Sequence, residues 1–304
     1  MKRGRMDVLL LALALDWLVG EPPTALHPVV WLGQIITLLE QHAPHEHPRA
    51  ELLYGAGMTA ACIGAAVTPA WLLPRARLAE AVLLKTMLAW RTLHQAGARV
   101  DTALAADDLP AARAALRWLV SRDTAQLDAP LLAAAAIESL AENASDSVVA
   151  PMLAYALGGL PAVCAYRAVN TLDAMIGYRG RYEYLGKVPA RLDDLLNLLP
   201  ARLTGLLLVA AAGLCGADAR QAWQVLCHEH AATASPNAGY PMAAMAGALG
   251  VRLEKVGHYC LHQHGLAPTA DDLRRAGRLV LVAVGLACSV ALSITIRSLP
   301  ERRN

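Results

Sequence analysis

The run from residue 52 to residue 73 contains no charged side chain, and it limits the fold more than any other feature of the sequence. A stretch of this length and apolarity is typical of a helix that crosses a bilayer. Its small residues, Gly55, Gly57, Ala60 and Gly64, suit close helix packing. In the whole chain 56% of residues are hydrophobic and 17% are charged, whereas soluble domains have about 25% charged residues. The sequence therefore predicts a membrane protein.

Other apolar segments extend this prediction to a polytopic bundle. The predicted spans are 6–20, 52–73, 147–169, 197–215 and 277–296, and segments 78–146 and 216–276 are predicted to be helical and outside the lipid. Asp16, within the first span, must face protein or water. The segment 147–169 is interrupted by Gly158 and Gly159, so it is either a broken span or a re-entrant hairpin. We expect an all-α integral membrane helical bundle, a single domain over 1–304, with re-entrant segments and amphipathic cytoplasmic helices.

Basic residues beside the apolar segments indicate an orientation. Both termini and the regions 75–130, 179–202 and 216–278 are basic, whereas the loop 21–51 contains only Arg49. Basic flanks mark the cytoplasmic side of a membrane protein. If 147–169 is a hairpin, every basic segment lies on the cytoplasmic side. We therefore expect the polar clusters to meet at the cytoplasmic face.

Several function classes are excluded by what the sequence lacks. The net charge of +2 is small and no basic run carries interleaved aromatics, so nucleic acid is not a predicted partner. The six cysteines include no CxxC pair, which argues against a disulfide framework. Neither a Walker A sequence nor G-x-G-x-x-G nor G-x-S-x-G occurs, so the sequence indicates no familiar nucleotide-binding or hydrolase fold.

Two groups of histidines remain open between a metal site and a polar loop. The first contains His42, His45 and His47 in a loop that carries prolines. The second contains His258, Cys260, His262 and His264, with Cys227, His228 and His230 as further candidates. Because the spacing is loose in both groups, we favour the polar loop over the metal site in each case.

Carboxylates and amides beside apolar segments are the main candidates for chemistry. On a helix, Glu138, Glu142 and Asp146 fall within about 80° of one face. Like charges one turn apart repel, so this face favours a bound counter-charge, with a solvated acidic face as the alternative. Further polar residues follow within the next fifty or so positions: Asn170, Asp173, Asp193, Asp194 and Asn197.

Basic side chains accompany these clusters: Lys85, Arg91, Arg167, Arg179, Lys187, Arg191 and Arg202. Mg²⁺ usually takes one or two carboxylates together with phosphate oxygens. Arginine and lysine neutralise phosphoryl oxygens in a transition state. Together, these carboxylate, amide and basic side chains indicate phosphate chemistry at a membrane surface, but they do not identify the substrate.

Five motifs carry a resemblance to a known family. They are DWLVGEPP (16–23) with HPV (27–29), ESLAEN (138–143) with Asp146, YRAVNTLDAMIGY (166–178), ARLDDLLN (190–197) with PARLT (200–204), and SPNAG (235–239). In this order, and over nearly the whole chain, they resemble the adenosylcobinamide-phosphate synthase family, known as CobD or CbiB. Glu254 and Lys255 stand where that family usually has two glycines, which leaves the role of residues 251–266 open.

The resemblance implies a multi-pass enzyme of the cell inner membrane with a cytoplasmic active face. It would use ATP and Mg²⁺ to join aminopropanol, or its phosphate, to the propionate carboxylate of a corrinoid, adenosylcobyric acid. The implied partners are these substrates and membrane lipid, and docking of other cobalamin-assembly enzymes is left open.

On this reading we assign hypothetical roles to individual residues. The catalytic candidates are Lys85, Asp173, Arg191, Asp194 and Arg202. The substrate-binding candidates are His27, Asn143, Asn170, Tyr178, Asn197, Ser235, Asn237 and Gly239. The Mg²⁺ candidates are Glu138, Glu142, Asp146, Asp173 and Asp193.

Three other readings compete with the ligase. A transporter could use intramembrane carboxylates, but no inverted repeat is visible and the acidic clusters flank the spans. A non-catalytic signalling relative would be expected to lose the Asn and Asp motifs, which are present. A purely structural membrane protein with a polar seam is the third reading. We favour the ligase.

Overall fold

The computed structural model of the protein describes residues 2–44, 47–73 and 76–297. His45, one of the candidate metal ligands, and the basic C-terminal residues Arg302 and Arg303 lie outside these ranges. The helices in chain order are α1 (Lys2–Val19), α2 (Pro28–Glu40), α3 (Pro48–Leu72), α4 (Arg77–Lys85), α5 (Trp90–Ala105), α6 (Leu109–Leu116), α7 (Ala129–Ala144), α8 (Ala150–Ile176), α9 (Lys187–Leu196), α10 (Leu198–Leu214), α11 (Ala219–Glu229), α12 (Gly239–Leu249) and α13 (Ala270–Arg297). Single 3₁₀ turns lie at Thr24–Leu26 and His230–Ala232, and a π-helical turn at Ser145–Val149 joins α7 to α8.

The chain folds as two compact units, each built from distant segments. The first unit contains the residues up to 89, residues 151–196 and the end of α13 from 290. The second contains residues 90–150 and 197–289. The single-domain organisation stays a prediction.

In the first unit, α1 packs on α4, and α3 packs on both α2 and α9. Asp16 on α1 is fully buried, which confirms that it faces protein. The core of this unit is a cluster of apolar side chains from α2, α3, α8 and the loop before α9, among them Ile36, Cys62, Leu172 and Leu185.

In the second unit, α12 packs against α7, α10 and α11, while α5 packs against α6 and α7. Asp108 caps α6, because its Oδ1 accepts a hydrogen bond of 2.9 Å from the amide of Ala111. Asp128 and Asp218 cap α7 and α11 in the same way. Almost every residue of α12 is small or buried. Gly250 follows the last residue of this helix and adopts a left-handed backbone conformation with φ 71°.

Among the described residues, three helices are long and apolar enough to cross a membrane, namely Pro48–Leu72, the continuous Ala129–Ile176 and Ala270–Ile296. The pair α9 and α10, bent by 44°, makes up to a fourth. The prediction of a helical membrane protein is confirmed at this level. Helix α1, which contains most of the predicted first span 6–20, is not among these helices, since it includes Lys2, Arg3, Arg5, Asp7 and Asp16. That span stays a prediction. The segment 129–146, predicted to lie outside the lipid, belongs to one of the three helices.

The predicted interruption near Gly158 is present as a break in α8. Gly159 leaves helical geometry with φ 73° and ψ −161°, so α8 consists of two helical halves that meet there. A residue with a Cβ adopts such a positive φ only with strain, which explains why glycine stands at this position. Whether the break makes a re-entrant hairpin stays a prediction.

The expectation of a purely α-helical chain is wrong at one place. Leu253–Lys255 (β1) and Tyr259–Leu261 (β2) pair antiparallel, with Leu253 opposite Leu261 and both side chains buried. Gly257, at φ 76°, lies in the turn that joins them. Each strand has only three residues, which is too short for a period-two pattern to be recognised in the sequence. The open segment 251–266 is therefore a β-hairpin with its flanks.

Two glycines on α3 allow a direct test of helix packing in the first unit. A Cβ added to Gly55 would lie 2.1 Å from the backbone oxygen of Leu185, whereas one added to Gly57 meets nothing within 4 Å. We expect Gly55→Ala to destabilise the protein by about 1–3 kcal/mol through overpacking. Gly57→Ala should be neutral or slightly stabilising. Thermal unfolding of both variants in detergent measures the difference, and equal melting temperatures would contradict this close approach.

Candidate functional site

A network of three side chains connects two of the sequence motifs in the first unit. Arg167 on α8 donates from Nη1 to Oδ1 of Asn170 over 3.2 Å. Asn170 in turn donates from Nδ2 to Oδ1 of Asp193 on α9 over 3.3 Å. Arg167 is largely buried, with 9% of its surface exposed. We call these three residues the Asn170 network; it places a guanidinium and a carboxylate on opposite sides of one amide.

Two predicted carboxylates lie on the same helices as this network. Asp173 is one turn after Asn170 on α8, and its Oδ1 occupies space beside Gly177, where an added Cβ would come within 2.0 Å of it. Asp194 follows Asp193 on α9 and approaches Arg191 at 3.7 Å. The Arg191 side chain is 75% exposed, so this contact holds it weakly. Asp173, Asp194 and Arg191 thus remain candidates for contact with substrate.

Lys85, predicted to be catalytic, has a structural partner. Its side chain is buried, and Nζ donates a hydrogen bond to the backbone oxygen of Gly20, just after the end of α1. A lysine at this place satisfies a carbonyl that the helix itself leaves open, and its charge suits the negative end of the helix dipole. This contact explains a lysine at residue 85 by packing of α1 on α4, and its catalytic role stays a prediction.

His27, predicted to bind substrate, is engaged through both ring nitrogens. Nδ1 accepts from the amide of Val29 over 3.2 Å and so caps α2. Nε2 lies 2.9 Å from Oε2 of Glu21. Since Nδ1 accepts, Nε2 is the donor in this pair. The contacts of Glu21 and His27 therefore fix the backbone at the start of α2.

Tyr178, which was also predicted to bind substrate, is exposed just after the end of α8.

A second cluster brings together the PARLT and SPNAG motifs in the second unit. Nη1 of Arg202 on α10 donates to Oδ1 of Asn237 over 3.2 Å and to the backbone oxygen of Leu198 over 2.8 Å. The guanidinium carbon lies 4.3 Å from the ring centre of Tyr240. We call Arg202, Asn237 and Tyr240 the Arg202 cluster. A guanidinium stacked on an aromatic ring and fixed by an amide is typical of sites that recognise planar or anionic groups.

The loop before α12 is organised so that Asn237 reaches Arg202. Oγ of Ser235 accepts from the amides of Asn237 and Ala238 over 3.2 and 3.3 Å. At Gly239, a Cβ would lie 1.9 Å from the backbone oxygen of His230, so only glycine fits. Asn197 is buried at the start of α10. Among the predicted substrate-binding residues, Ser235 and Gly239 thus shape the turn, and Asn237 is the one in contact with Arg202.

Glu138, predicted as a metal ligand, is buried and forms an ion pair. Its Oε2 lies 2.9 Å from Nη2 of Arg122, and the two side chains are 6% and 19% exposed. Tyr259, on the β-hairpin, is close enough that burial, and next the charge of Glu138, raise the pKa of its hydroxyl. The protein itself thus supplies a counter-charge for Glu138.

A π-helical turn at Ser145–Val149 follows α7 and includes Asp146. Asn143 spans the start of this turn: its Nδ2 donates to the backbone oxygen of Ser139 over 3.0 Å, and its Oδ1 accepts from Ser147 over 3.3 Å. Asn143 therefore has a role in stabilising the junction between α7 and α8. That Glu138, Glu142 and Asp146 share one face that binds a cation stays a prediction.

Within the described residues, no group of three or more His, Cys, Asp or Glu side chains is placed to hold a metal ion. The choice between a metal site and a polar loop at residues 258–264 stays a prediction. Mg²⁺ held by one or two carboxylates and by phosphate oxygens, which is the usual arrangement, also stays a prediction for the candidates Glu138, Glu142, Asp146, Asp173 and Asp193.

From the sequence, Arg167 was named only as a basic side chain near the clusters and received no role. Three further residues that belong to these clusters were missed as site residues. Arg122 is one of many arginines in an amphipathic region, and Tyr259 lies in a segment of unassigned role. Tyr240 follows the SPNAG motif directly, and this adjacency was the one signal that could have identified it. Contacts between side chains far apart in sequence carry no local pattern, which is why the other two were missed.

Comparisons with known proteins agree with the motifs. The family model described as CobD/Cbib protein matches residues 9–280. Cobalamin biosynthesis protein CobD of Dehalococcoides mccartyi is 40% identical over 94% of this chain and 91% of its own length. The protein of the same description from Geobacter metallireducens is 46% identical over 81% of this chain and 80% of its own length. That from Rhodobacter capsulatus is 43% identical over 88% and 89%. No solved structure matches the chain.

Proposed function

Since the chain belongs to the CobD/CbiB family, we propose that it is a membrane enzyme of cobalamin biosynthesis that forms an amide bond with the energy of ATP. The acid would be adenosylcobyric acid and the amine aminopropanol or its phosphate. Helices apolar enough to cross a bilayer support a membrane location for this enzyme. Inner-membrane residence and a cytoplasmic active face are part of the proposal.

The proposed reaction has two steps, the activation of the carboxylate and the attack of the amine. A propionate oxygen of the corrinoid attacks the γ-phosphorus of ATP, so that a carboxyl phosphate forms and ADP leaves. The amine nitrogen then attacks the acyl carbon, phosphate leaves with the bonding electrons of the C–O bond, and the nitrogen loses a proton. Both steps pass through states with negative charge on phosphoryl oxygens, and positioned cations stabilise such states.

The observation that carries the proposal is the Asn170 network. Arg167 supplies positive charge, and Asp193 is held by Asn170 in a fixed orientation. On this arrangement Arg167 and the exposed Arg191 bind phosphoryl oxygens, while Asp193 orients the amine or accepts its proton. The network thus links the motif at 166–178 to the motif at 190–197.

The carboxylates of the first unit suit a magnesium ion that also binds nucleotide phosphates. Asp173, Asp193 and Asp194 lie on α8 and α9, and one or two such oxygen donors are the usual protein share of a Mg²⁺ site. When bound, the ion would neutralise phosphate charge. The residues of this chain hold and orient the reacting groups around it.

The Arg202 cluster is proposed to bind an anionic or planar part of a substrate. The guanidinium is already oriented by Asn237 and Tyr240, so little conformational entropy is lost when a ligand binds. A phosphate group or the amide-bearing rim of a corrin ring fits these donors. Arg202 would then contribute to substrate affinity and to charge stabilisation.

The experiment that tests the proposal uses purified wild-type protein in detergent. Adenosylcobyric acid is incubated with either amine donor, with and without ATP and Mg²⁺, and the product is identified by mass. We expect an amide product only when ATP and Mg²⁺ are both present. No product from well-folded protein with either donor would overturn the proposal and favour transport or a signalling role.

A further inference from the structure

A groove of about 220 Å³ lies between α5 and α13 in the second unit, outside the clusters described above. Its α5 side presents residues one helical turn apart, from Trp90 through His94 to Asp101. Its α13 side runs from Leu273 to Leu281, and Leu140 of α7 also contributes to the lining. The walls are predominantly apolar, and the charged members are Asp101, Arg274 and Arg278.

The groove has a polar end and an apolar end. Arg274 pairs with Asp101 at 3.3 Å and with Asp271 at 3.2 Å, which fixes the polar end. Trp90 lies at the other end of the α5 wall, about 16 Å along the helix from Asp101 at 1.5 Å per residue. This length is close to one leaflet of the hydrocarbon core, about 15 Å. A ligand that fills the groove should therefore be amphipathic and elongated.

Arg278 is the charged residue of the groove whose guanidinium remains available. It is exposed, and within the described part of the chain no carboxylate forms an ion pair with it, whereas both carboxylates nearby are engaged by Arg274. It also stands where α13 changes character, since the helix is charged up to Arg278 and apolar from Leu279 onward. On a helix that could cross a membrane, such a change is typical of the headgroup level.

We propose that this groove binds one acyl chain of a membrane phospholipid, with the lipid phosphate on Arg278. The apolar walls from Trp90 to Leu281 receive the chain. The charge-assisted hydrogen bonds from Arg278 to the phosphate oxygens fix the headgroup. The proposal concerns a lipid site in the second unit and is independent of the amide-bond reaction.

Two variants on α13 test the proposal, and each has a matched control variant on a helix of the same unit. A Cβ at Gly277, which lines the groove, meets nothing within 4 Å, and the same holds for Gly285, which does not line it. Gly277→Leu fills the groove, and Gly285→Leu adds the same bulk elsewhere on α13. Arg278→Gln removes the phosphate contact, and Arg99→Gln removes an exposed charge of α5 that lies outside the groove.

The measurement is native mass spectrometry of delipidated full-length protein titrated with phosphatidylglycerol or with diacylglycerol, which lacks the phosphate. We expect wild-type protein to bind one phosphatidylglycerol more tightly than diacylglycerol. Arg278→Gln should weaken phosphatidylglycerol binding about tenfold, and Gly277→Leu should abolish the single bound lipid, while both controls bind as wild type. Unchanged binding by either groove variant, or equal losses in the controls, would overturn the proposal and indicate bulk lipid only.

Discussion

Asp173→Asn and Asp194→Asn should each lower the rate of ATP-dependent amide formation by about 10²–10³, the usual effect of removing one charge-stabilising group from an active site. Asparagine preserves the size of the side chain but removes the negative charge that would hold a cation next to nucleotide phosphates. Because each residue lies on a helix of the first unit, the change should leave the backbone in place. The assay is product formation by purified protein at saturating ATP and Mg²⁺.

The matched control is Asp107→Asn. Asp107 has a positive φ of 56°, which asparagine tolerates as well as aspartate does, and it is an exposed residue next to the start of α6. This variant should retain wild-type activity. If Asp173→Asn and Asp194→Asn are both as active as Asp107→Asn, the metal and phosphate chemistry assigned to α8 and α9 is wrong. A dependence on Mg²⁺ concentration that shifts in one variant alone would identify the residue nearer the ion.

The helical and membrane character of the chain could be predicted from sequence because it depends on apolar runs and on local signals. The run at 52–73 became α3, and the Gly158-Gly159 interruption became the break in α8. The first span, 6–20, stays a prediction, because α1 includes five charged residues over its eighteen positions and is not among the helices that are long and apolar enough to cross a membrane.

The site was predicted in its residues better than in its contacts. Asn170, Asp193, Arg202 and Asn237 were all chosen from motifs, and the structure joins them pairwise. The sequence could not assign partners, because each pair joins segments more than twenty residues apart. His27 looked available for substrate, although its ring is committed to Val29 and Glu21, which lie two and six residues away in the sequence.

Glu138 shows how a missed partner changes the interpretation of a motif. In the sequence it is the first of three acidic residues on one helix, and this pattern favours a cation. In the structure Arg122, sixteen residues earlier, forms the ion pair with it. The counter-charge that the pattern required is supplied by the protein, so the motif does not by itself demand a metal at this position.

Arg122→Leu should destabilise the protein by about 3–5 kcal/mol, the usual cost of leaving one member of a buried ion pair without its partner. The variant leaves the carboxylate of Glu138, which is 6% exposed, buried without its cation. The double variant Arg122→Leu with Glu138→Leu should recover most of this loss, because no buried charge remains. Thermal unfolding of wild type, both single variants and the double variant in detergent gives the coupling.

The control for this cycle is Arg77→Leu, which breaks an ion pair with Asp7 whose side chains are 68% and 46% exposed. Exposed pairs contribute about 0–1 kcal/mol, so the melting temperature of this variant should be close to that of wild type.

The double variant of Arg122 and Glu138 also separates two roles for Glu138. If it regains stability and still forms the amide with the wild-type dependence on Mg²⁺, Glu138 stabilises the fold and is not a ligand. Recovered stability with lost activity would return Glu138 to the metal candidates, while additive single-variant losses would show that the ion pair itself contributes little.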